Sequence, residues 1–247
     1  MNFGDLWDIQ NPLHVLTYSR KEFVPSVENN AQELAYAVSD LFGHHRGLRL
    51  TGAVSIYTQI PQKRAIHDID VCIDESAFVD IAETAFNRGY YLCRLAYREL
   101  NQGLRTCVFE QISPHEFLER KPSVRTVFLR HDYTNDHLTP ETLIDIFVRY
   151  TDSDNWERTY DHRLGPILPT HLFSDIFVSV QEKNVRSVPL LYMAMIKNIL
   201  IIEEEKFGEG NKLDRKKNAF DLENILALAL NFKEYISELM KQRKQGR

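Results

Sequence analysis

The sequence predicts an α+β fold, in which a short mixed β-sheet flanked by helices is followed by a helical subdomain at the C-terminus. Segments 48–50 and 68–73 are typical of buried strands, and a glycine between them opens a short helix. Segments 90–97 and 104–111 alternate in polarity around Asn101-Gln102-Gly103, which indicates a β-hairpin. Residues 188–205 and 218–241 carry apolar side chains at helical spacing, so we expect an antiparallel helix pair.

The remaining elements follow in chain order. Residues 1–24 show no sustained period and are expected to form a loosely structured lead-in. A helix is predicted from Pro25 to about residue 42, and another over 75–87 with Gly89 as its C-terminal cap. Segments 125–130 and 143–148 are predicted strands. The chain therefore divides into a lead-in (1–24), an α/β domain (25–185) and a helical subdomain (186–247).

Composition excludes several classes of protein. Of 247 residues, 43% are hydrophobic and 26% charged, as in ordinary globular proteins. No apolar run is long enough to span a membrane, and three cysteines without a CxxC pair argue against a disulfide framework. A formal net charge of −5 gives no overall attraction to nucleic acid. We expect a cytoplasmic protein with no membrane partner.

The most informative pattern is a glycine followed by two alternating acids. Asp68 and Asp70 lie two residues apart on a predicted strand, so their side chains share one face while Ile69 and Val71 pack behind them. Adjacent carboxylates repel each other unless a divalent cation lies between them. Gly52 opens the preceding helix, whose backbone N–H groups suit a triphosphate. The pattern therefore indicates metal-assisted nucleotidyl transfer.

Gly52-Ala53-Val54 followed by Arg64-x-x-x-Asp68-x-Asp70 resembles the polymerase-beta-type nucleotidyltransferase superfamily, and within it the AbiE-type toxin nucleotidyltransferases most closely. The resemblance extends over residues 34–228 and implies a nucleotidyltransferase fold. It also implies an enzyme that uses Mg²⁺ (or Mn²⁺) to move an NMP from an NTP to an acceptor hydroxyl, with release of pyrophosphate. AbiE-type relatives modify RNA or protein and have a cognate antitoxin, whereas lincosamide and aminoglycoside nucleotidyltransferases modify small hydroxylated drugs.

A third carboxylate would complete the metal site that the resemblance implies. The tetrapeptide Asp-Ile-Phe-Val occurs twice, beginning at Asp145 and at Asp175, so either residue could supply it. Asp145 has apolar residues on both sides, as the third-acid strand of the family requires, whereas Asp175 is typical of a strand start. Asp145 is therefore the preferred metal ligand and catalytic acid beside Asp68 and Asp70.

The resemblance also implies nucleotide-binding residues and a further catalytic acid. Lys197 interrupts an apolar helical face, where a buried ammonium needs a carboxylate or phosphate partner. Arg64 is expected to reach the triphosphate or to brace the acids, and Asp221 matches the acid of the last family motif. The expected nucleotide-binding set is Gly52, Ser55, Arg64, Lys197 and Lys217.

Two departures from the family pattern support an alternative. Thr51 stands where many relatives have a second glycine, and Asn224 stands where the last motif has its second acid. Such changes are typical of a nucleotidyltransferase fold that has become a catalytically silent binding module. Retention of both Asp68 and Asp70 favours the enzyme, because a silent site gains nothing from two repelling acids.

Overall fold

The computed structural model of the chain describes residues 11–19, 30–43, 45–101, 104–122, 124–134, 136–160, 167, 175–207 and 215–228. These residues are organised around one mixed β-sheet of ten strands in the order β1-β5-β4-β6-β7-β3-β2-β10-β9, with β8 paired to β7 outside this path. The β3/β7 and β2/β10 pairs are parallel, and the other pairs are antiparallel. This is the mixed sheet that the sequence predicts, with more strands.

The strands are β1 Leu13–Ser19, β2 Leu48–Thr51, β3 Ile69–Asp74, β4 Tyr90–Asn101, β5 Leu104–Gln111, β6 Thr126–Arg130, β7 Leu143–Thr151, β8 Glu157–Thr159, β9 Ile176–Val180 and β10 Lys183–Ser187. The α-helices of the described part are α1 Ala31–Phe42, α2 Gly52–Gln59, α3 Phe78–Asn87, α4 Pro114–Arg120, α5 Leu190–Phe207 and α6 at 215–228. Single 3₁₀ turns precede α3 (Glu75–Ala77) and β7 (Pro140–Thr142). No helix in the described part is long and apolar enough to cross a membrane.

The two faces of β3 differ in chemistry. Ile69, Val71 and Ile73 are buried in the main hydrophobic core, and the alternate residues Asp70, Cys72 and Asp74 point to the other face. Helix α1 covers the apolar face, where Phe42 contacts Phe128 of β6 at a ring separation of 5.6 Å. Helix α5 covers the acidic face: the hydroxyl of Thr51, the register partner of Asp70, contacts Met193 Sδ at 3.3 Å. The acids therefore lie between the sheet and α5.

The hairpin, the strand carrying Asp70 and the helix after residue 188 are confirmed. The lead-in prediction is wrong at residues 13–19, which form β1 along β5. Apolar residues occur on both faces of β1: Leu13 and Val15 face solvent, whereas Leu16 is buried. The segment therefore lacks the alternation of polar and apolar residues that predicts a strand. The first described helical residue of α1 is Ala31, and the predicted start at Pro25 lies outside the described residues. The division into domains stays a prediction.

Candidate metal and nucleotide site

The junction between β2 and α2 holds the carboxylate of Asp70 against the helix start. Gly52 is the first residue of α2 and has φ +61°, a conformation that favours glycine. A Cβ at this position would lie 1.8 Å from Asp70 Oδ2 and 2.5 Å from Asp70 Cγ. The preceding residue, Thr51, is the register partner of Asp70 in the β2/β3 pair. Glycine is therefore required here both for its backbone conformation and for the space that Asp70 uses.

Asp68 and Asp70 line the same cavity; Asp70 lies on β3, and Asp68 immediately precedes the first residue of that strand. Within the described part of the chain, neither carboxylate forms an ion pair, whereas Asp145 and Asp221 each bind a guanidinium. Burial raises the pKa of Asp70 well above its usual range, and the charges of Asp68 and Asp145 raise it further. The site thus concentrates negative charge that a bound cation would stabilise.

Asp145 lies directly beside Asp70. The two residues are register partners in the parallel β3/β7 pair, so their side chains share one face of the sheet. Both carboxylate oxygens of Asp145 accept hydrogen bonds from Arg125, at 2.6 Å from Nε and 2.7 Å from Nη2. Asp145 is buried and is not among the residues that line the cavity. Its position is the one expected of the third acid, and its charge is compensated by Arg125.

Asp175 lies elsewhere, although it begins the same tetrapeptide as Asp145. It immediately precedes β9, which agrees with its interpretation as a strand start. Its carboxylate accepts hydrogen bonds from Arg49 and from Arg186, the latter at 2.8 Å. The network continues from Arg49 to Asp74 at 2.9 Å, at the far end of β3. Of the two repeats, only the one at Asp145 adjoins the acidic pair.

Asp221 lies in a closed cluster beneath the cavity. It is 0% exposed, and Arg64 donates two hydrogen bonds of 2.8 Å to its two oxygens. Lys197 Nζ lies 3.0 Å from Oδ2, and the hydroxyl of Tyr57 donates to Oδ1 at 2.9 Å. Burial would raise the pKa of Asp221, but Lys197 and Arg64 outweigh it and hold that pKa well below its usual range. Asp221 thus joins α6 to α5 and to the segment before β3, and it does not reach the cavity surface.

The predicted nucleotide-binding residues divide into two groups. Gly52, Arg64, Lys197 and Lys217 line the cavity, so the structure brings them together with the acidic pair. Ser55 does not line it: this residue is 0% exposed, and its hydroxyl donates to the carbonyl of Val188 at 3.2 Å. Its position three residues into α2 turns it toward the start of α5. The prediction for Ser55 is corrected on this geometry.

The enclosed part of the cavity measures about 190 Å³. Besides the residues above, its walls include His67, Cys72, Phe147, Thr159, Tyr192, Met193, Ile196, Leu200 and Asn218. Sequence reasoning missed Asn218, which accepts a hydrogen bond of 2.9 Å from Lys197. It also missed Arg125, since an arginine before a strand carries no signal of its partner. No group of three or more His, Cys, Asp or Glu residues that could hold a metal is found in the described part of the chain.

Comparisons with known proteins give weak likenesses. No protein-family model and no curated protein sequence matches the chain. An antigenic nucleotidyltransferase-like protein from Paracoccidioides brasiliensis is similar in structure over 90% of this chain and 92% of its own, at 8% identity and a TM-score of 0.40.

A lincosamide antibiotic adenylyltransferase, LnuA with lincomycin bound, matches 78% of this chain and 94% of its own, at 15% identity and a TM-score of 0.37. A putative nucleotidyltransferase from Thermotoga maritima matches 74% and 93%, at 12% identity and a TM-score of 0.40. The assignment of a function therefore depends on the geometry of the site.

Proposed function

We propose that this protein is a metal-dependent nucleotidyltransferase, which moves an NMP from an NTP to an acceptor hydroxyl and releases pyrophosphate. The observation that carries the proposal is the junction of Asp70 with Gly52: Asp70, one of two cavity-lining acids without an ion-pair partner in the described chain, lies against the first turn of a helix. Carboxylates and backbone N–H groups in one cavity suit a cation and a phosphate chain respectively.

The residues present fit a divalent cation bound together with its nucleotide. Mg²⁺ is usually held by one or two carboxylates plus substrate phosphates, rather than by a complete set of protein ligands. Asp68 and Asp70 supply that number, in keeping with the absence of a larger cluster in the described residues. Bound there, Mg²⁺ or Mn²⁺ would neutralise charge on the triphosphate.

The cationic wall of the cavity supports the same assignment. Lys197, Lys217 and Arg64 line the same cavity as the acidic pair. Asp221 fixes Arg64 and Lys197 through hydrogen bonds and ion pairs, so their positions are set before a ligand enters. The enclosed volume of about 190 Å³ is smaller than the ~300–1,000 Å³ of typical drug-sized sites, so we place only the triphosphate inside.

In the proposed reaction, the acceptor oxygen forms a bond to the α-phosphorus while the bond from that phosphorus to the pyrophosphate oxygen breaks. The hydroxyl proton passes to a carboxylate of the Asp68/Asp70 pair. The α2 N-terminus and the cationic side chains hold the leaving pyrophosphate, which carries the developing negative charge. Catalysis would come from positioning and charge stabilisation.

The acceptor is assigned from the resemblance to AbiE-type enzymes. We propose an RNA or protein hydroxyl as the acceptor and a toxin-like role with a cognate antitoxin. The net charge of −5 argues against a large basic RNA-binding surface and favours the alternative of a small hydroxylated acceptor, as in the antibiotic-modifying relatives. A cytoplasmic location stays a prediction.

Two observations favour a second candidate, a nucleotide-binding module that does not transfer. The third acid, Asp145, is held at both oxygens by Arg125, and Asp221 is fully buried. Such a module would still bind a metal–nucleotide complex through Asp68 and Asp70.

A transfer assay separates the two candidates. The full chain is incubated with each α-labelled NTP, Mg²⁺ or Mn²⁺, and either total RNA, the protein alone or a hydroxylated aminoglycoside or lincosamide. We expect label in one of the acceptors together with pyrophosphate release, and neither with Asp70→Asn. Nucleotide binding without pyrophosphate release under any of these conditions would favour the silent module.

A further inference from the structure

Arg125 and Asp145 form an ion pair in which the arginine side chain is more exposed than the aspartate side chain. Arg125 lies just before β6 and binds both oxygens of Asp145 on β7, at 2.6 and 2.7 Å. Its remaining terminal nitrogen donates to the hydroxyl of Tyr18 at 3.3 Å. The Arg125 side chain is nevertheless 28% exposed, whereas that of Asp145 is 10% exposed. The Arg125 side chain is therefore less enclosed than that of its partner.

The pair also acts directly on the acidic site. Asp145 is the register partner of Asp70, and neighbouring strands lie about 4.8 Å apart. The positive charge of Arg125 lowers the pKa of Asp70, while the charge of Asp145 raises it. Arg125 is thus the counter-ion of Asp145 and is close enough to influence the pair that faces the cavity.

The arginine that binds Asp221 provides the contrast. Arg64 also makes a double hydrogen bond to a carboxylate, but its side chain is only 6% exposed and that of Asp221 is 0% exposed. Lys197 supplies a second cation there, so Asp221 stays compensated. Asp145 has one cation in the described structure, and the side chain that carries it is more exposed than that of Arg64.

We propose that Arg125 is an exchangeable counter-ion, which holds Asp145 in the free protein and moves to the triphosphate when the metal–nucleotide complex binds. A guanidinium recognises phosphate and carboxylate oxygens with the same double hydrogen-bond geometry. Its departure releases Asp145 to join Asp68 and Asp70 around the cation. The proposal rests on the proposed function and adds Arg125 as a positioning residue for nucleotide and metal.

The test is the Arg125→Met variant of the full chain, titrated with Mn²⁺ alone and with ATP, CTP, GTP and UTP in the presence of Mn²⁺. Without Arg125, the carboxylate of Asp145 beside Asp70 is uncompensated, so we expect Mn²⁺ alone to bind at least threefold more tightly. Nucleotide binding should weaken at least tenfold, because a phosphate contact is lost. These opposite changes are what an exchangeable counter-ion predicts.

Unchanged nucleotide affinity, or changes of both affinities in the same direction, would overturn the proposal and leave Arg125 as a fixed structural partner. Arg125→Met/Asp145→Asn should return the Mn²⁺ affinity to the parent value but not the nucleotide affinity. Should Arg125→Met fail to fold, Arg125→Lys keeps the charge without the paired geometry and must still weaken nucleotide binding.

A matched control is available on the neighbouring strands. Arg94 pairs with Glu110 at 2.5 Å, with side-chain exposures of 25% and 4%, and this pair, unlike Arg125 and Asp145, contains no register partner of Asp70. Arg94→Met should change neither affinity. If the parent chain itself binds no Mn²⁺–nucleotide complex, the proposed function fails; if the parent binds it and Arg125→Met behaves like Arg94→Met, only this inference fails.

Discussion

At the scale of single residues, the site depends on the close approach of the Asp70 carboxylate to Gly52. The carboxylate of Asp70 lies where any other residue at position 52 would place its Cβ, 1.8 Å from Oδ2. The same glycine has φ +61°, so the turn into α2 and the placement of the acid are set together. The first turn of the helix and Asp70 are therefore packed directly against each other, so a ligand in the cavity can contact backbone donors and a carboxylate together.

Gly52→Ala should therefore lower the free energy of unfolding by more than the strain of its backbone conformation alone. The left-handed conformation alone costs alanine about 1–2 kcal/mol of unfolding free energy, and displacement of Asp70 adds to that. We expect metal-dependent nucleotide binding to be lost, as measured by titration calorimetry. Gly43→Ala is the matched control, because Gly43 has φ +62° with no atom within 4 Å of its added Cβ. Equal effects of the two substitutions on binding would contradict the role assigned to Gly52.

Residue spacing predicted the Asp68/Asp70 pair and the glycine, because both are local patterns along the chain. It could not predict the partners of Asp145 and Asp221. Arg125 lies 20 residues from Asp145, and Arg64 lies 157 residues from Asp221, so these pairs are set by tertiary packing. Ser55 was misassigned for a related reason, since the direction of a short helix is set by the elements around it.

At the scale of elements, buried charges join α5 and α6 to the α/β part. Lys197 on α5 contacts Asn218 and Asp221 on α6, and Asp221 in turn binds Arg64 before β3. The lysine on an apolar helical face indicated a buried partner, and the structure supplies Asp221 at 3.0 Å. Because the same cations line the cavity, the two helices form part of the proposed nucleotide site.

Lys197→Met should weaken nucleotide binding strongly while it lowers the free energy of unfolding only moderately. Asp221 keeps its two hydrogen bonds from Arg64, so the loss should stay below the about 3–5 kcal/mol typical of a broken buried pair. Nucleotide binding should weaken at least tenfold by calorimetry. Lys216→Met removes an equal charge from the exposed side of α6 and should leave binding unchanged. Parent-like binding of Lys197→Met would show that this lysine only packs.

Asp221 gives a prediction for the pH dependence of stability. Its pKa is lowered in the folded chain, so its ion pairs stabilise the fold above the unfolded pKa of about 3.9 and are lost as pH falls toward the folded value. The difference in unfolding free energy between the parent and Asp221→Asn should be about 3–5 kcal/mol at pH 7 and should shrink below pH ~4. Urea denaturation at pH 7, 4 and 3 measures it, and a constant difference would contradict this account.

At the scale of the whole molecule, the sheet places Asp70 on a central strand, which pairs in parallel with β7 and antiparallel with β2. β3 lies next to β7, which carries Asp145, and next to β2, which leads into α2. These central elements were predicted because buried strands show as aliphatic runs. β1 was not, since its exposed face is also apolar, and β8 is only three residues long, too short to show a period.

The central claim is that Asp68 and Asp70 hold a divalent cation together with a nucleotide, and calorimetry of Asp68→Asn/Asp70→Asn tests it most directly. Each NTP is titrated with and without Mg²⁺, and Asp136→Asn/Asp154→Asn serves as the charge-matched control, because both acids are exposed and lie outside the cavity. We expect the double variant to fold with equal or higher thermal stability, since a repulsion is removed. Its Mg²⁺-dependent nucleotide binding should fall at least tenfold, or about 1.4 kcal/mol, while the control binds like the parent. Parent-like Mg²⁺-dependent binding by the folded double variant would contradict the claim.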